Sequence, residues 1–378
     1  MSDAQVSVVQ IKKHATLKDA VSKAIDLVGG FRRLFRRGER VLLKPNMLMP
    51  KEGVFTDPRL IRELILLARE SGAEVFVGDS PGGEEALAKS EDQFRDAGIL
   101  KVIDEAGARF SSFETAHPVE TKIKNASRLK ETLIAPVFFE ADAVINIPKW
   151  KTHMQTVYTG AIKNFWGIQP GARKVLNHLK GRTLEEFSEV LADLYSVVKN
   201  RPILNVMDVI QAMVGMGPSS GKMVTINTII AGFDAVAVDA VAVAMAGYDP
   251  LTAVPHIRIC HERGLGIGDF RRIEIVGDGF PEERKKLSLP SRGIVGISST
   301  FFGELFHRYM KKIPLFLHDK CTQCGTCAKN CPVRVIRLSP YPEVNRKGCV
   351  NCLCCFELCP YGAIDVVRAG IRGVFGLR

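Results

Sequence analysis

The chain has 378 residues, of which 46% are hydrophobic and 25% are charged, with a formal net charge of +11. This ordinary globular composition leaves room for one large domain and one small one. No apolar run is long enough to span a bilayer, so an integral membrane protein is not expected. The first residues contain no apolar signal stretch, which predicts a cytoplasmic protein with reduced thiols.

Short apolar runs alternate with helical patterns over the first 280 residues. The predicted strands are Val6–Val9, Val41–Leu43, Val75–Val77, Ala143–Ile147, Ile203–Val206 and Ile273–Val276. The predicted helices are Leu17–Leu27, a helix that begins after Thr56 or Asp57 and ends at Gly72, a stretch to about Ala106, Leu184–Val198 and Ala235–Ala246. This alternation predicts an α/β fold, with a mostly parallel sheet covered by helices on both faces.

Polar loops follow several of the predicted strands. They are Lys44–Asn46, Gly78–Gly83, Lys149–His153 and the segment from Asp208 onward. Ligands of parallel α/β sheets bind beyond the carboxyl ends of the strands. The sequence therefore predicts a binding site where these loops meet.

A long basic segment lies between Asp142 and Glu185, where the chain has no acidic residue. It carries Lys149, Lys151, Lys163, Arg173, Lys174, Lys180 and Arg182, together with His153 and His178. Such a segment favours an anionic ligand such as a phosphate, a carboxylate or a nucleotide. A nucleic-acid partner is not expected, because no recognised nucleic-acid motif accompanies the basic residues.

We selected eight candidate residues for this site. The catalytic candidates are Lys149, His153 and Lys163, and the substrate-binding candidates are Lys44, Asn46, Asp79, Lys151 and Asn164. Lysines that follow a strand can hold an anion by charge-assisted hydrogen bonds, and a histidine can move a proton near neutral pH. In the alternative interpretation, the lysines are surface residues beside an ordinary loop and His153 is structural.

Familiar nucleotide motifs are absent. No G-x-G-x-x-G follows the first strand. Gly215–Lys222 fails as a phosphate loop because Met216 stands where glycine is needed and Met223 where Ser or Thr is needed. The segment is expected to be a glycine-rich turn near a possible site. Residues 281–318 are predicted to be a linker whose apolar and basic stretch packs as a helix between domains, with peripheral contact to a membrane surface as the alternative.

Eight of the ten cysteines form one pattern twice near the end of the chain. Cys321, Cys324, Cys327 and Cys331 fit C-x2-C-x2-C-x3-C-P, and Cys349, Cys352, Cys355 and Cys359 repeat it 28 positions later. This is the ligand spacing of a two-cluster bacterial ferredoxin, in which the fourth cysteine of each run binds the other cluster. The pattern predicts two [4Fe–4S] clusters.

The ligand sets follow from this crossover. One cluster is assigned to Cys321, Cys324, Cys327 and Cys359, and the other to Cys349, Cys352, Cys355 and Cys331. Zinc binding and disulfides are the alternatives, and the eight-cysteine pattern and the expected reducing compartment weigh against them. Cys354 and Cys260 are predicted to be thiols outside the clusters.

Several motifs of the first 280 residues resemble those of one known family. They are Val-Leu-Leu-Lys-Pro-Asn at 41–46, Val-Gly-Asp-Ser at 77–80, Asn-Ile-Pro-Lys-Trp-Lys-Thr-His at 146–153, Gly-Ala-Ile-Lys-Asn at 160–164, and Asp208 with Gly217 and Pro218. This set is similar to that of the uncharacterised iron–sulfur centre family, domain of unknown function 362, over roughly residues 5–280. The resemblance implies an iron–sulfur protein of anaerobic metabolism but no particular reaction.

The chain is predicted to divide into an α/β domain at 1–280, the linker at 281–318 and a ferredoxin-type domain at 319–378. Two functions fit these observations best. The first is an iron–sulfur oxidoreductase that passes electrons from a partner protein to an anionic substrate or cofactor in the α/β domain. The second is a non-catalytic electron-transfer or maturation partner that docks another protein through its basic segment. A ligand-binding redox sensor is a third interpretation.

Overall fold

A computed structural model describes residues 3–82, 86–114, 117–171, 173–290 and 312–368. Its strands before residue 280 are β1 (Ala4–Gln10), β2 (Arg40–Pro45), β3 (Glu74–Val77), β4 (Arg109–Phe110), β5 (Val119–Lys122), β6 (Glu131–Ile134), β7 (Ala143–Ile147), β8 (Lys149–His153), β9 (Val157–Thr159), β10 (Ile203–Val214), β11 (Lys222–Gly232) and β12 (Ile273–Gly277). Within the described ranges, ten of them form one sheet, and β5 and β6 form a separate hairpin.

The large sheet is mostly parallel. Its order is β12-β1-β11-β10-β7-β2-β3-β4, with β8 paired to β10 and β9 paired to β8. The pairs β10–β7, β7–β2, β2–β3 and β3–β4 are parallel, as are β1–β12 and β10–β8. β11 runs antiparallel to both of its neighbours, and β9 runs antiparallel to β8. The carboxyl ends of β2, β3 and β7 therefore meet at one edge of the sheet.

Helices cover both faces of this sheet. They are α1 (Leu17–Asp26), α2 (Pro58–Glu70), α3 (Ala86–Asp96), α4 (Ile99–Glu105), α5 (Pro136–Glu140), α6 (Ala161–Asn164), α7 (Arg173–Asn177), α8 (Leu184–Val198), α9 (Ala235–Met245), α10 (Pro250–Ala253) and α11 (Pro255–Glu262). Short 3-10 helices occupy Ile11–Lys13, Phe31–Arg33, Phe165–Ile168, His178–Lys180, Phe270–Arg272 and Glu282–Lys286. In the part of the chain that the structure describes, no helix is long and apolar enough to cross a membrane.

Alternation along the strands divides the core into two layers. Val41 and Leu43 of β2 pack with the buried faces of α1 and α2, whereas Leu42 packs on the other side with α8 and α9. Successive side chains of a strand point to opposite faces, so a strand buried on both sides is apolar throughout. The predicted α/β fold with helices on both faces of a mostly parallel sheet is confirmed.

Two segments differ from the prediction. Lys149–His153 was expected to be a loop, but it forms β8, because β10 continues past the end of β7 and pairs with it. β10 extends to Val214, eight residues beyond the predicted end of its strand, and β11 returns antiparallel to it after the glycine-rich turn. β8, the end of β10 and β11 contain polar and charged residues, so a prediction based on apolar runs does not detect them.

The cysteine-rich end of the chain forms a small separate unit. Its elements are β13 (Lys312–Phe316), α12 (Thr326–Lys329), β14 (Ile336–Leu338), β15 (Pro342–Val344), α13 (Cys354–Glu357) and β16 (Ile364–Arg368). β13 pairs antiparallel with β16, so the unit includes Lys312–Phe316, which is part of the predicted linker. Most of the linker's apolar and basic stretch, at 301–311, lies outside the described residues.

Candidate functional site

The alternation of β8 sorts its five side chains onto two faces. Trp150 points into the core, where its ring packs 5.6 Å from that of Tyr158 and its indole N–H donates to Ala242 O at 3.1 Å. Lys149, Lys151 and His153 share the opposite face. Trp150 thus anchors β8 in the core, and the basic side chains of Lys149, Lys151 and His153 lie together on the other side of the strand.

Two of the candidate lysines form buried ion pairs. Lys149 Nζ lies 2.8 Å from Asp208 Oδ2, and Lys44 Nζ lies 2.8 Å from Asp79 Oδ1. All four side chains are buried. Burial lowers the pKa of Lys44 and raises the pKa of Asp79, and in each case the partner's charge acts in the opposite direction. These two lysines therefore hold the strand ends together.

Lys151 and Lys163 have no comparable carboxylate partner. Lys151 Nζ donates to Asn46 Oδ1 and to Val54 O, both at 2.7 Å, which leaves its third donor unused by the described residues. The half-buried Lys163 forms no hydrogen bond or ion pair with any described residue. Burial lowers the pKa of Lys163 and lowers that of Lys151 well below the usual lysine range. The amino group of Lys163 is therefore available to an anion, whereas Lys151 has a third donor to offer only when it is protonated.

A buried carboxylate fixes the start of the helix that carries Lys163. Asp239 Oδ1 accepts from Ala161 N at 2.6 Å, and its Oδ2 accepts from Ile162 N at 3.0 Å. Burial raises the pKa of Asp239 to about 7, although both backbone donors favour its charged form. Helix α6 is therefore held in place at its first turn, one residue before Lys163.

Carboxamides connect the same helix to the strand ends. Asn164 Oδ1 accepts from Asn46 Nδ2 at 3.1 Å, while Asn164 Nδ2 donates to Asn146 Oδ1 at 2.7 Å. Asn146 donates in turn to Asn205 Oδ1 at 2.8 Å. This chain of amides orients Asn46 and Asn164 without adding charge to the site.

Lys174 belongs to the site, although it was not among the eight candidates. Its Nζ donates to Ser80 O at 2.5 Å, and to Ser80 Oγ and Pro81 O at 2.6 Å. Burial lowers the pKa of Lys174 to about 8, and the charges of Glu114 and Asp79 oppose this change. Lys174 is therefore a third basic residue of the site, after Lys151 and Lys163, and it lies beside the loop that follows β3.

His153 contacts the cysteine-rich unit. Its Nε2 lies 3.2 Å from Glu357 Oε1, yet the two atoms are not aligned for a hydrogen bond, and neither has another partner in the described residues. His153 Nδ1 accepts from the backbone N–H groups of Gln155 and Thr156, so the neutral ring carries its proton on Nε2. Burial lowers the pKa of His153 well below its usual value and raises that of Glu357 to about 7. This environment does not give His153 the expected titration near neutral pH.

One cavity of about 90 Å³ lies between the α/β part and the cysteine-rich unit. Its polar lining includes Asn46, Asp79, Ser80, Lys151, Thr159, Lys163, Asn164, Lys174 and Glu357, and its apolar lining includes Leu48, Trp166 and Leu358. Five of the eight candidates thus line the cavity. The other three, Lys44, Lys149 and His153, are buried residues that do not line the cavity.

Two smaller cavities separate the cluster cysteines into two groups of four. Cys321, Cys324, Cys327 and Cys359 line one, and Cys331, Cys349, Cys352 and Cys355 line the other. No three His, Cys, Asp or Glu side chains in the described ranges are arranged to hold a single metal ion. Four thiols around a cavity suit a cube of iron and sulfide better than they suit one zinc ion.

Several site residues were missed by sequence reasoning. Lys174 was visible only as one more basic residue of the segment, Trp166 only as one of its aromatic residues, and Thr159 belonged to no recognised motif. Glu357 lies within the second cysteine run, and the motif of that run is defined by the spacing of its cysteines alone. The signal that could have found Glu357 is that it is the only carboxylate between Cys349 and Cys359.

Comparison with known proteins finds a matching family model for each of the two parts of the chain. Residues 41–244, more than half of the chain, match the family model described as a domain of unknown function (DUF362), and residues 320–363 match a 4Fe-4S dicluster domain. A relative, the Thylakoid-associated protein sll1697 of Synechocystis, is 29% identical over 249 residues, which cover 64% of this chain and 73% of that protein.

Solved structures give weaker likenesses. A Thermotoga maritima protein aligns with a TM-score of 0.36 and 15% identity over 58% of this chain, and the lactate racemase apoprotein of Thermoanaerobacterium thermosaccharolyticum aligns with a TM-score of 0.38 and 13% identity over 62%. The chain spans 55% of the length of each. The two matched models confirm the family resemblance inferred from the motifs. The chain therefore belongs to the DUF362 family, and it is an iron–sulfur protein with a 4Fe-4S dicluster domain.

Proposed function

We propose that this protein is an oxidoreductase that passes single electrons from two [4Fe–4S] clusters to a small anionic substrate or cofactor. The observation that carries this proposal is the position of the cavity. Its lining includes Lys151 and Lys163 on one side and Cys354 and Glu357 of the cluster-binding unit on the other. A ligand there would lie beside both a source of electrons and a source of positive charge.

The proposed ligand sets are those of the two cysteine-lined cavities. Cys321, Cys324, Cys327 and Cys359 would hold one cube, and Cys349, Cys352, Cys355 and Cys331 the other. The bound cubes supply one electron at a time. Helix α13 carries Cys355 in the lining of the second cysteine cavity and Cys354 and Glu357 in the lining of the anion cavity. Leu358 also lines the anion cavity, and Cys359 of the first set follows it directly. Both ligand sets therefore lie next to the anion cavity along the chain.

The lining also suits a small polar ligand. Thr159 Oγ1 is buried and has no hydrogen-bond partner among the described residues. A buried hydroxyl without a partner is unfavourable, and a bound ligand oxygen would satisfy it. Lys151 and Lys163 would bind the anion, Asn46 and Asn164 would orient it, and Trp166 and Leu358 would exclude water from its other side.

The alternative, a partner that docks other proteins through a basic surface, has less support. Lys149, Lys151 and Lys174 of the basic segment are at least 94% buried, so they are not part of an exposed interface. A site for a small ligand explains buried cations better than a docking surface does. We place the protein in the cytoplasm in this proposal, because free thiols persist in reducing compartments.

Replacing Lys163 by glutamine should weaken the binding of sulfate to the anaerobically purified protein by about 10- to 100-fold. The change removes one charge-assisted hydrogen bond to the anion, and such bonds contribute about 1.5–3 kcal/mol. Isothermal titration calorimetry measures the affinity. Lys180→Gln is the matched control, because Lys180 is an exposed lysine of the same segment and should leave the affinity unchanged. An unchanged affinity in Lys163→Gln would place the anion site elsewhere.

The affinity for sulfate should fall as the pH rises through the slightly alkaline range. Sulfate keeps its charge throughout, so the change reports the protein. Burial lowers the pKa of Lys163, and that of Lys174 to about 8, so these groups lose their positive charge at a lower pH than ordinary lysines. Lys163→Arg should move part of the fall to higher pH, since a guanidinium remains charged. Equal pH profiles for the wild type and Lys163→Arg would contradict this assignment.

A further inference from the structure

The lining of the anion cavity contains a polar group and an apolar group of residues. In the polar group, Lys151 Nζ donates to Asn46 Oδ1 at 2.7 Å, and Asn46 Nδ2 donates to Asn164 Oδ1 at 3.1 Å, directly after Lys163 in helix α6. The apolar group consists of Met47, Leu48, Trp166, Val175, Pro218 and Leu358. An inorganic anion would contact the polar group and leave the apolar group facing water.

Two leucines of the apolar group meet at Gly82. Gly82 N donates to Leu48 O at 2.9 Å, and a Cβ on this glycine would lie 2.8 Å from Leu48 Cδ1 and 2.6 Å from Leu358 Cδ2. A larger residue at this position would displace both side chains. Glycine therefore lets Leu48 of the α/β part and Leu358 of the cysteine-rich unit form one apolar wall.

The charges of the lining favour a ligand with a single negative charge. Lys174 uses its three donors on oxygens of the loop after β3, so Lys163 and the third donor of Lys151 remain for the ligand. The carboxyl group of Glu357 in the same lining disfavours a second negative charge. A carboxylate has one charge, whereas sulfate and phosphate esters have more.

The volume of the cavity limits the length of the ligand. It is about 90 Å³. A cavity of about 150 Å³ holds benzene, so this one suits a ligand of about four or five non-hydrogen atoms. That size corresponds to an acid such as acetate or propionate and excludes nucleotides and sugar phosphates.

We propose that the ligand of the anion cavity is a carboxylate with a short apolar chain. Lys163 binds the carboxylate, and the wall formed by Leu48 and Leu358 contacts the chain and determines its length. This inference rests on the proposed function and specifies its substrate class. Each methylene group that is buried against the wall should raise the affinity about 4-fold, a gain that sulfate does not obtain.

The test titrates the anaerobically purified protein with saturated acids by isothermal titration calorimetry. These acids are suitable probes because they accept no electrons from the clusters. Propionate should bind about 4-fold more tightly than acetate, and pentanoate more weakly than propionate because it is too long for the cavity. Propionamide has the same chain without the charge, and it should bind at least about 10-fold more weakly than propionate.

Variants of the two groups distinguish the chain from the carboxylate. Leu48→Ala enlarges the apolar part of the cavity, so pentanoate should bind more tightly than propionate. Lys163→Gln should weaken acetate and propionate by the same factor, because it changes the polar group alone. Leu176→Ala is the matched control, since Leu176 is 44% exposed and does not line the cavity, and it should keep the wild-type order of the acids.

A second variant replaces Leu48→Ala if that protein fails to load iron. Val175→Leu narrows the cavity, and acetate should then bind more tightly than propionate. The wild-type order of the acids in the variant that loads iron would overturn the role of the apolar group. Equal affinities for all three acids in a protein that binds sulfate would overturn the carboxylate assignment and leave the anion site intact. Binding of neither sulfate nor any acid would overturn the anion site itself.

Discussion

Replacing Cys352 by alanine is expected to lower the iron content from about eight atoms per chain to between about four and about seven. Cys352 lines the cavity of the second set, and without its thiolate that cube would be either lost or converted to a three-iron form. Iron analysis of anaerobically prepared protein measures the loss, and electron paramagnetic resonance spectra distinguish a three-iron form from complete loss of the cube.

Two matched variants make this experiment specific. Cys324→Ala should lose a similar amount of iron, because Cys324 lines the cavity of the first set. Cys354→Ala should keep all of its iron, since Cys354 lines the anion cavity rather than either cysteine-lined one. Full iron in Cys352→Ala together with iron loss in Cys354→Ala would mean that the ligand sets are assigned wrongly.

Replacing Lys149 by methionine is expected to lower the free energy of unfolding by roughly 3 to 5 kcal/mol. Asp208 is fully buried, and its Oδ2 lies 2.8 Å from Lys149 Nζ. Among the described residues, the variant would leave this carboxylate with hydrogen bonds from two backbone donors, Asp57 N and Ile210 N. Urea unfolding followed by the fluorescence of the two tryptophans, Trp150 and Trp166, measures the change.

Two control variants test whether the loss of stability arises from leaving the buried charge of Asp208 without its partner. Lys18→Met breaks an exposed ion pair, in which Lys18 Nζ lies 2.6 Å from Glu70 Oε1, and should change stability by no more than about 1 kcal/mol. Lys149→Met combined with Asp208→Asn should recover part of the loss, because a neutral amide can still accept from the backbone without leaving a charge unpaired. Equal losses in Lys149→Met and Lys18→Met would contradict the role assigned to the buried pair.

The site lies where the α/β part and the cysteine-rich unit meet, and this explains its mixed composition. The strand ends of the α/β part contribute lysines and carboxamides, and the cysteine-rich unit contributes Glu357 and a wall next to a cluster cavity. Neither part encloses the cavity alone. A ligand in it would contact both parts.

Much of the fold was predictable because its signals are local. Helix Leu184–Val198 was predicted with its observed bounds, and α1 ends one residue earlier than predicted. Threonine caps and apolar stripes mark such elements within a few residues. β8 and β11 were missed because charged and polar residues break their apolar pattern, and they are strands because β10 pairs with them.

The sequence by itself determined the cofactor class, because cysteines three residues apart can surround a cluster wherever the chain places them. It also determined the basic character of the site. Only the tertiary structure decided which lysines are neutralised. Asp208 lies 59 residues from Lys149, so no local pattern distinguishes this paired lysine from Lys163, which has no carboxylate partner among the described residues. Burial then sets the pKa of each group, and burial depends on contacts between distant parts of the chain.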